Sequence, residues 1–130
     1  QQDSDLISRT LYSGPLIWVA SPDYVAANRL GESTDDLVAH IQICEKRYGL
    51  ARLPVRVDGE ATHMDLARGV SHVNDPISVR AALLGGSGIS LLPELYCREQ
   101  LRRGELAEVA KHVSFDLSAS VLPSSFQADG

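Results

Sequence analysis

The chain carries four histidines (His40, His63, His72, His112), two cysteines (Cys44, Cys97) and the adjacent acids Asp35 and Asp36. The histidines fall in no HxxxH or HExxH spacing, so surface or half-buried histidine is the expected state of each. His40 and Cys44 lie four apart on an expected strand, which puts them on one face but too far apart to share a metal. Asp35 and Asp36 stand at an expected helix start, where adjacent acids complement the dipole rather than divide acid and base roles. The run Gly85-Gly86-Ser87-Gly88 invites a phosphate-loop reading, but a phosphate cradle follows a strand and opens a helix. Here the glycines end a helix and lead into a strand, so helix termination and close packing are expected. Ile89 also stands where a nucleophile elbow requires its second glycine. No Ser/His/Asp set assembles, and neither an enzyme nor a cofactor or metal is expected.

Two segments are better suited to holding a ligand than to transforming one. In open α/β sheets small molecules bind beyond the carboxyl ends of strands. Glu45, Lys46, Arg47 and Tyr48 follow an expected strand and combine both charges with an aromatic hydroxyl. Asn74, Asp75, Ile77 and Ser78 lie between an expected strand end and a helix start, where amides and short polar side chains meet. The two segments are expected on one side of the sheet, around a shared concavity.

Composition narrows the partners. A net charge of −5, with basic runs no longer than Lys46-Arg47 and Arg102-Arg103, is poorly suited to replacing counterions along a DNA duplex. No apolar run approaches the roughly 20 residues of a membrane helix, and no membrane partner is expected. The polar start QQDSDLISRT does not resemble a secretory signal, and a cytoplasmic location is expected. Cys44 and Cys97 would permit one disulfide, but two buried thiols in a reducing compartment are expected.

The elements that must position these residues read as alternating strands and helices. Leu16 to Ala20 is a strand covered on both faces. Ser21-Pro22-Asp23 caps and opens a short helix that Gly31 closes, and Thr34-Asp35-Asp36 starts another. A strand follows from Ile41 to Cys44 or Glu45. Lys46 to Gly59 reads as loop with a short strand near Val55, and Leu66 to Val73 as a strand bent at Gly69. Asp75 caps a helix with Ile77, Ala81 and Leu84 on its core face, stopped by Gly85 and Gly86. Ile89 to Leu92 is a buried strand. Pro93 and Glu94 open a helix with Cys97 and Leu101 on one face, ended by Gly104. Val113 to Val121 alternates as one more strand. The pattern predicts an α/β sheet with parallel pairs.

The run VNDPISVRAALLGGSGISLLP, Val73 to Pro93, resembles the signature stretch of the effector-binding domain of LysR-type transcriptional regulators. Further resemblance lies in Asp3 to Leu11, Leu16 to Asn28, Asp35 to Ile43 and Leu101 to Val109, in the family's order over about residues 3–122. The resemblance implies a type 2 periplasmic-binding-protein-like α/β fold: two subdomains joined by crossing strands, with a small-molecule effector in the cleft. It implies that Leu6 to Leu11 is a crossing strand, that the second subdomain spans about 12–93, and that a returning segment spans about 94–122. The whole of 1–130 is then a partial effector-binding domain, mainly the second subdomain with its crossing and returning segments. By the same resemblance Glu45 to Tyr48 and Asn74 to Ser78 face the cleft, and DNA is reached only through a helix-turn-helix absent from this chain. Ser87 departs from the family pattern, where an apolar residue is usual. A homo-oligomer is expected, because the apolar face from Val113 to Val121 has no partner within the chain once half a subdomain is missing. The alternative is a solute-binding protein of a transport system, which shares the fold.

Overall fold

The computed structural model describes residues 14–49 and 51–116. The strands are β1 (Leu16–Ala20), β2 (Ile43–Glu45), β3 (Arg52–Val57), β4 (Glu60–Asp65), β5 (Ser71–Val73), β6 (Ser90–Pro93), β7 (Ala107–Val109) and β8 (Val113–Phe115). The helices are α1 (Pro22–Ala27), α2 (Thr34–Ala39), α3 (Pro76–Leu84) and α4 (Glu94–Arg103). β1 pairs antiparallel with β6 on one side and β7 on the other. β3 is the centre of a second antiparallel sheet, between β4 and β8. Parallel pairs were expected; among the described residues one occurs, between β2 and β5, and the other pairings are antiparallel.

The apolar run LIWVA is continuous because β1 is covered on both faces. Trp18 and Ala20 face one core with Leu37, Ile41, Leu53, Val55, Met64 and Leu91, beneath the β4-β3-β8 sheet and α2. Val19 faces the other, with Val79 and Leu83 of α3, Leu92, Cys97 of α4 and Leu106. Each fully buried aliphatic side chain contributes roughly 1.5–3 kcal/mol, so this central strand ties the two cores together. Both cysteines are buried and free, Cys44 in the first core and Cys97 in the second.

Several elements differ from the sequence reading. The short strand expected near Val55 is there but runs six residues, Arg52–Val57, into what was expected as loop, and the polar stretch Glu60–Asp65 is its hairpin partner. A two-residue turn joins them, Asp58 (φ 52°) and Gly59 (φ 88°), left-handed at both positions as a tight hairpin requires. Pro54 lies within β3 at the end of its pairing with β8, where its carbonyl still accepts from Asp116 N–H at 3.0 Å. The expected strand from Leu66 shrinks to Ser71–Val73: Leu66 N–H donates to the Ala51 carbonyl at the hairpin's end, and Val70 N–H closes a turn onto Ala67.

α1 stops at Ala27, where the Asn28 amide and side chain both donate to the Tyr24 carbonyl. Gly31 is therefore not its stop; a β-carbon there would collide with the Asp36 carboxylate. α3 has the expected cap and end but the opposite buried face. Pro76, Val79 and Leu83 are buried, while Ile77 is 54% and Leu84 41% exposed. Apolar residues run almost round this helix, so spacing alone could not choose the face. β8 pairs with β3 and buries Val113 and Phe115, so the expectation of an unpartnered strand fails over these residues. Leu6 to Leu11 and Leu117 to Val121 lie outside the described residues.

Candidate functional site

Because β2 and β5 run parallel, with Cys44 opposite His72 and Glu45 opposite Val73, the chain leaves both strands at the same end. Glu45 to Tyr48 and Asn74 to Ser78 therefore start side by side, one strand spacing apart. Gly49 lets the first segment fold back over its own strand. A β-carbon there would strike the His72 ring and crowd the Cys44 sulfur, and His72 Nε2 donates to the Gly49 carbonyl at 3.1 Å.

In the first segment Lys46–Tyr48 form a 3₁₀ turn, closed by Gly49 N–H donating to the Lys46 carbonyl at 3.2 Å. The Glu45 side chain is only 4% exposed, and its Oε2 accepts from Arg47 Nε at 2.7 Å. Its Oε1 is buried and has no hydrogen-bond partner among the described residues. The Arg47 guanidinium lies 5.1 Å from the centre of the Tyr48 ring. That ring meets Phe115 edge-on with centroids 5.6 Å apart. Burial pushes the Tyr48 phenol above its usual range; Arg47 pulls it back, and Glu45 and Tyr96 push with burial. It stays a neutral hydroxyl at physiological pH.

In the second segment Asp75 is the N-cap of α3. Its Oδ1 accepts from Ser78 N–H at 2.8 Å and its Oδ2 from the Ser78 hydroxyl at 3.0 Å. These bonds hold the Asp75 carboxyl below the usual carboxylate range. Asn74 and Ser78 are exposed, and Ile77 projects into solvent.

The structure thus brings the two segments to one end of a strand pair, but the larger hollows lie elsewhere. One of about 380 Å³ is lined by Leu30, Leu37, His40, Asp58, Ile89 and His112, among others, at the amino end of β2. There the Tyr24 hydroxyl and His40 Nδ1 share a hydrogen bond at 2.5 Å, and His112 Nε2 donates to the Glu32 carbonyl at 2.7 Å. Another, about 410 Å³, lies by Ser21–Asp23, Leu84 and Gly104. Tyr48 borders a void of about 10 Å³ with Trp18, Ile41, Cys44, Leu53 and Leu66. Sequence reasoning passed over Tyr96, in the first turn of α4, whose carbonyl accepts from Arg80 Nη1 at 2.6 Å. Its signal was an aromatic hydroxyl just after the strand-ending Pro93. Among the described residues no group of three or more His, Cys, Asp or Glu could hold a metal, and no helix is long and apolar enough to cross a membrane.

Comparison with known proteins adds what geometry leaves open. The family model described as LysR substrate binding domain matches residues 1–124. The HTH-type transcriptional activator AaeR of Escherichia coli K12 is 28% identical over 107 residues, which cover 81% of this chain and 34% of AaeR. Full-length AphB, the Vibrio cholerae virulence activator, superposes with a TM-score of 0.67 at 28% identity, over 78% of this chain and 35% of that one. The regulatory domain of CrgA from Neisseria meningitidis gives a TM-score of 0.59 at 20% identity, over 88% of this chain and 62% of that one, and speaks for the fold alone. The chain spans about a third of the length of the curated relatives it matches.

Proposed function

This chain belongs to the LysR substrate-binding domain family, and from that premise we propose that it senses a small-molecule effector for a bacterial transcriptional regulator. Its fold is α/β and type 2 periplasmic-binding-protein-like. In this reading residues of about 12–93 form the second subdomain and about 94–122 return toward the first. The effector sits in the cleft between subdomains and touches Glu45, Lys46, Arg47, Tyr48, Asn74, Asp75, Ile77 and Ser78. The observation that carries the site is the parallel register of β2 and β5, which starts both segments at one strand end. AaeR and AphB are both named as activators, which favours regulation over solute delivery.

Operator DNA is then contacted by another part of a longer protein, in the cytoplasm, and the −5 charge of this chain fits a part that does not touch phosphate. No catalytic step belongs to this role. Self-association is assigned to the exposed Leu84 of α3 and Leu95 of α4 rather than to β8. The experiment is an amide-resolved NMR screen of the 130-residue chain against mixtures of small carboxylates, amines and phenols. Shifts gathered at residues 45–49 and 74–78 support the site; shifts confined to the His40–His112 hollow would move it to the other end of β2.

A further inference from the structure

Within the reading just given, on which this inference rests, the two charged residues of the first segment are not equivalent. Lys46 is an exposed ammonium on a flexible stem. Arg47 is fixed in three ways. Its Nε donates to a carboxylate that is itself buried, its plane lies by Tyr48, and Tyr48 is wedged against Phe115. The closed 3₁₀ turn sets the backbone from which it projects.

Glu45 engages the Nε edge of the guanidinium. Neither Nη makes a hydrogen bond among the described residues, and the side chain is 46% exposed. On this half-exposed side chain, an Nη pair with no partner among the described residues offers two parallel donors, the geometry that matches a carboxylate or similar oxyanion. An ordinary surface arginine must give up rotamer freedom to bind an anion, a loss of about 0.5–1.5 kcal/mol for an immobilised long side chain. Much of that ordering is already present here. The segment's net charge is +1, from Glu45, Lys46 and Arg47, whereas Asp75 on the neighbouring segment is negative. One oxyanion is therefore favoured over a dianion.

We infer that Arg47 is a pre-set receptor for a single oxyanion of the ligand, with Glu45 and Tyr48 as its positioning residues.

The test follows arginine Nε–H resonances of the 130-residue chain during titration with sodium acetate, with acetamide as the uncharged control. Arg29, Arg52 and Arg68 are exposed and make no ion pair among the described residues, so they serve as internal references. Arg47 is expected to saturate at an acetate concentration about three to ten times lower than they do, the size of the ordering already in place, and to ignore acetamide. Glu45→Gln is expected to raise that concentration about threefold or more, and Tyr48→Leu likewise, whereas Tyr48→Phe keeps the ring and the wild-type response. Tyr48→Leu, set against Tyr48→Phe, reports on positioning should Glu45→Gln disturb the fold. An Arg47 response no different from the references, or equal with acetamide, overturns the receptor and leaves the effector reading to its own screen. Saturation at Arg47 with unmoved amides at 74–78 supports the receptor and counts against a shared cleft.

Discussion

At the carboxyl end of the β2–β5 pair two polar segments stand side by side, and they dispose of their hydrogen-bonding groups differently. In Asn74–Ser78 the principal charge is already occupied: both oxygens of Asp75 accept from Ser78. In Glu45–Tyr48 one buried carboxylate oxygen and both Nη groups of the adjacent guanidinium make no hydrogen bond among the described residues. The first arrangement anchors a helix. The second holds a charged fork in position with capacity remaining. On the proposed reading the two segments are therefore not equal: the one with unfilled valence is the one assigned to read the ligand, and the one that satisfies itself is assigned the part of a rigid wall.

The largest test asks whether that wall is rigid because of α3. Leu83 is fully buried beneath it, and Leu83→Ala should cost about 2–5 kcal/mol, the usual cavity-forming range. Leu84→Ala on the exposed face should fall within about 0.5 kcal/mol. Urea unfolding of the two variants reads both, and equal losses would mean that the helix faces have been assigned wrongly.

The next change is at the reading segment. Arg47→Ala removes the partner that the buried Glu45 carboxylate has among the described residues. Since Arg47 is half exposed and water can replace it in part, a loss of about 1–2 kcal/mol is expected rather than the roughly 3–5 kcal/mol of a fully buried pair. Arg98→Ala, which breaks an exposed pair with Glu94, should change stability by less than about 0.5 kcal/mol. Equal effects would show that Glu45 does not depend on Arg47.

A pH series separates the segments more finely. Asp75 has a carboxyl pKa lowered by its bonds from Ser78, so its stabilisation is present above the ordinary carboxylate range and fades as pH falls through the lower folded value. Asp75→Ala should lower the denaturant midpoint at neutral pH and converge with wild type in acid. A difference that persisted unchanged at pH 2 would remove the cap from the account.

These contrasts also show what the sequence could and could not reveal. The cap at Asp75, the stop at Gly85 and the end of α4 at Gly104 are local chemistry, fixed by residues within one turn, and were legible. Asp58-Gly59 was legible too, as a two-residue hairpin turn, but Pro54 and the polar string after it obscured the signal. β4 buries only Met64 of its six residues, so it carries no apolar alternation to find. The buried face of α3 depends on which side meets β1 and β6, a tertiary fact absent from spacing. At the site, the residue types were readable while their pairing was not. Nothing in the order Glu-Lys-Arg-Tyr says that Arg47, not Lys46, is clamped by Glu45.

The smallest expected effect concerns the thiols beneath the two regions. Burial raises both, and pushes Cys97 to about 11, with Glu94 adding to the rise. Cys44 immediately precedes the reading segment, so local opening of that segment should expose it first. Alkylation at pH 8 should be slow at both, with Cys44 modified ahead of Cys97; the reverse order would indicate that α4 opens before the β2 end.

The comparison is tested most directly by amide shifts at saturation with a ligand recovered from the small-molecule screen, recorded for wild type and Arg47→Lys. The account predicts the largest shifts at Glu45–Gly49 and smaller ones at Asn74–Ser78, with the Asp75–Ser78 hydrogen bonds retained. Arg47→Lys should weaken binding about tenfold, the order expected when a bidentate contact becomes a point charge. Largest shifts at Leu30–Gly31, His40 and Lys111–His112, with Arg47→Lys binding as wild type does, would contradict it.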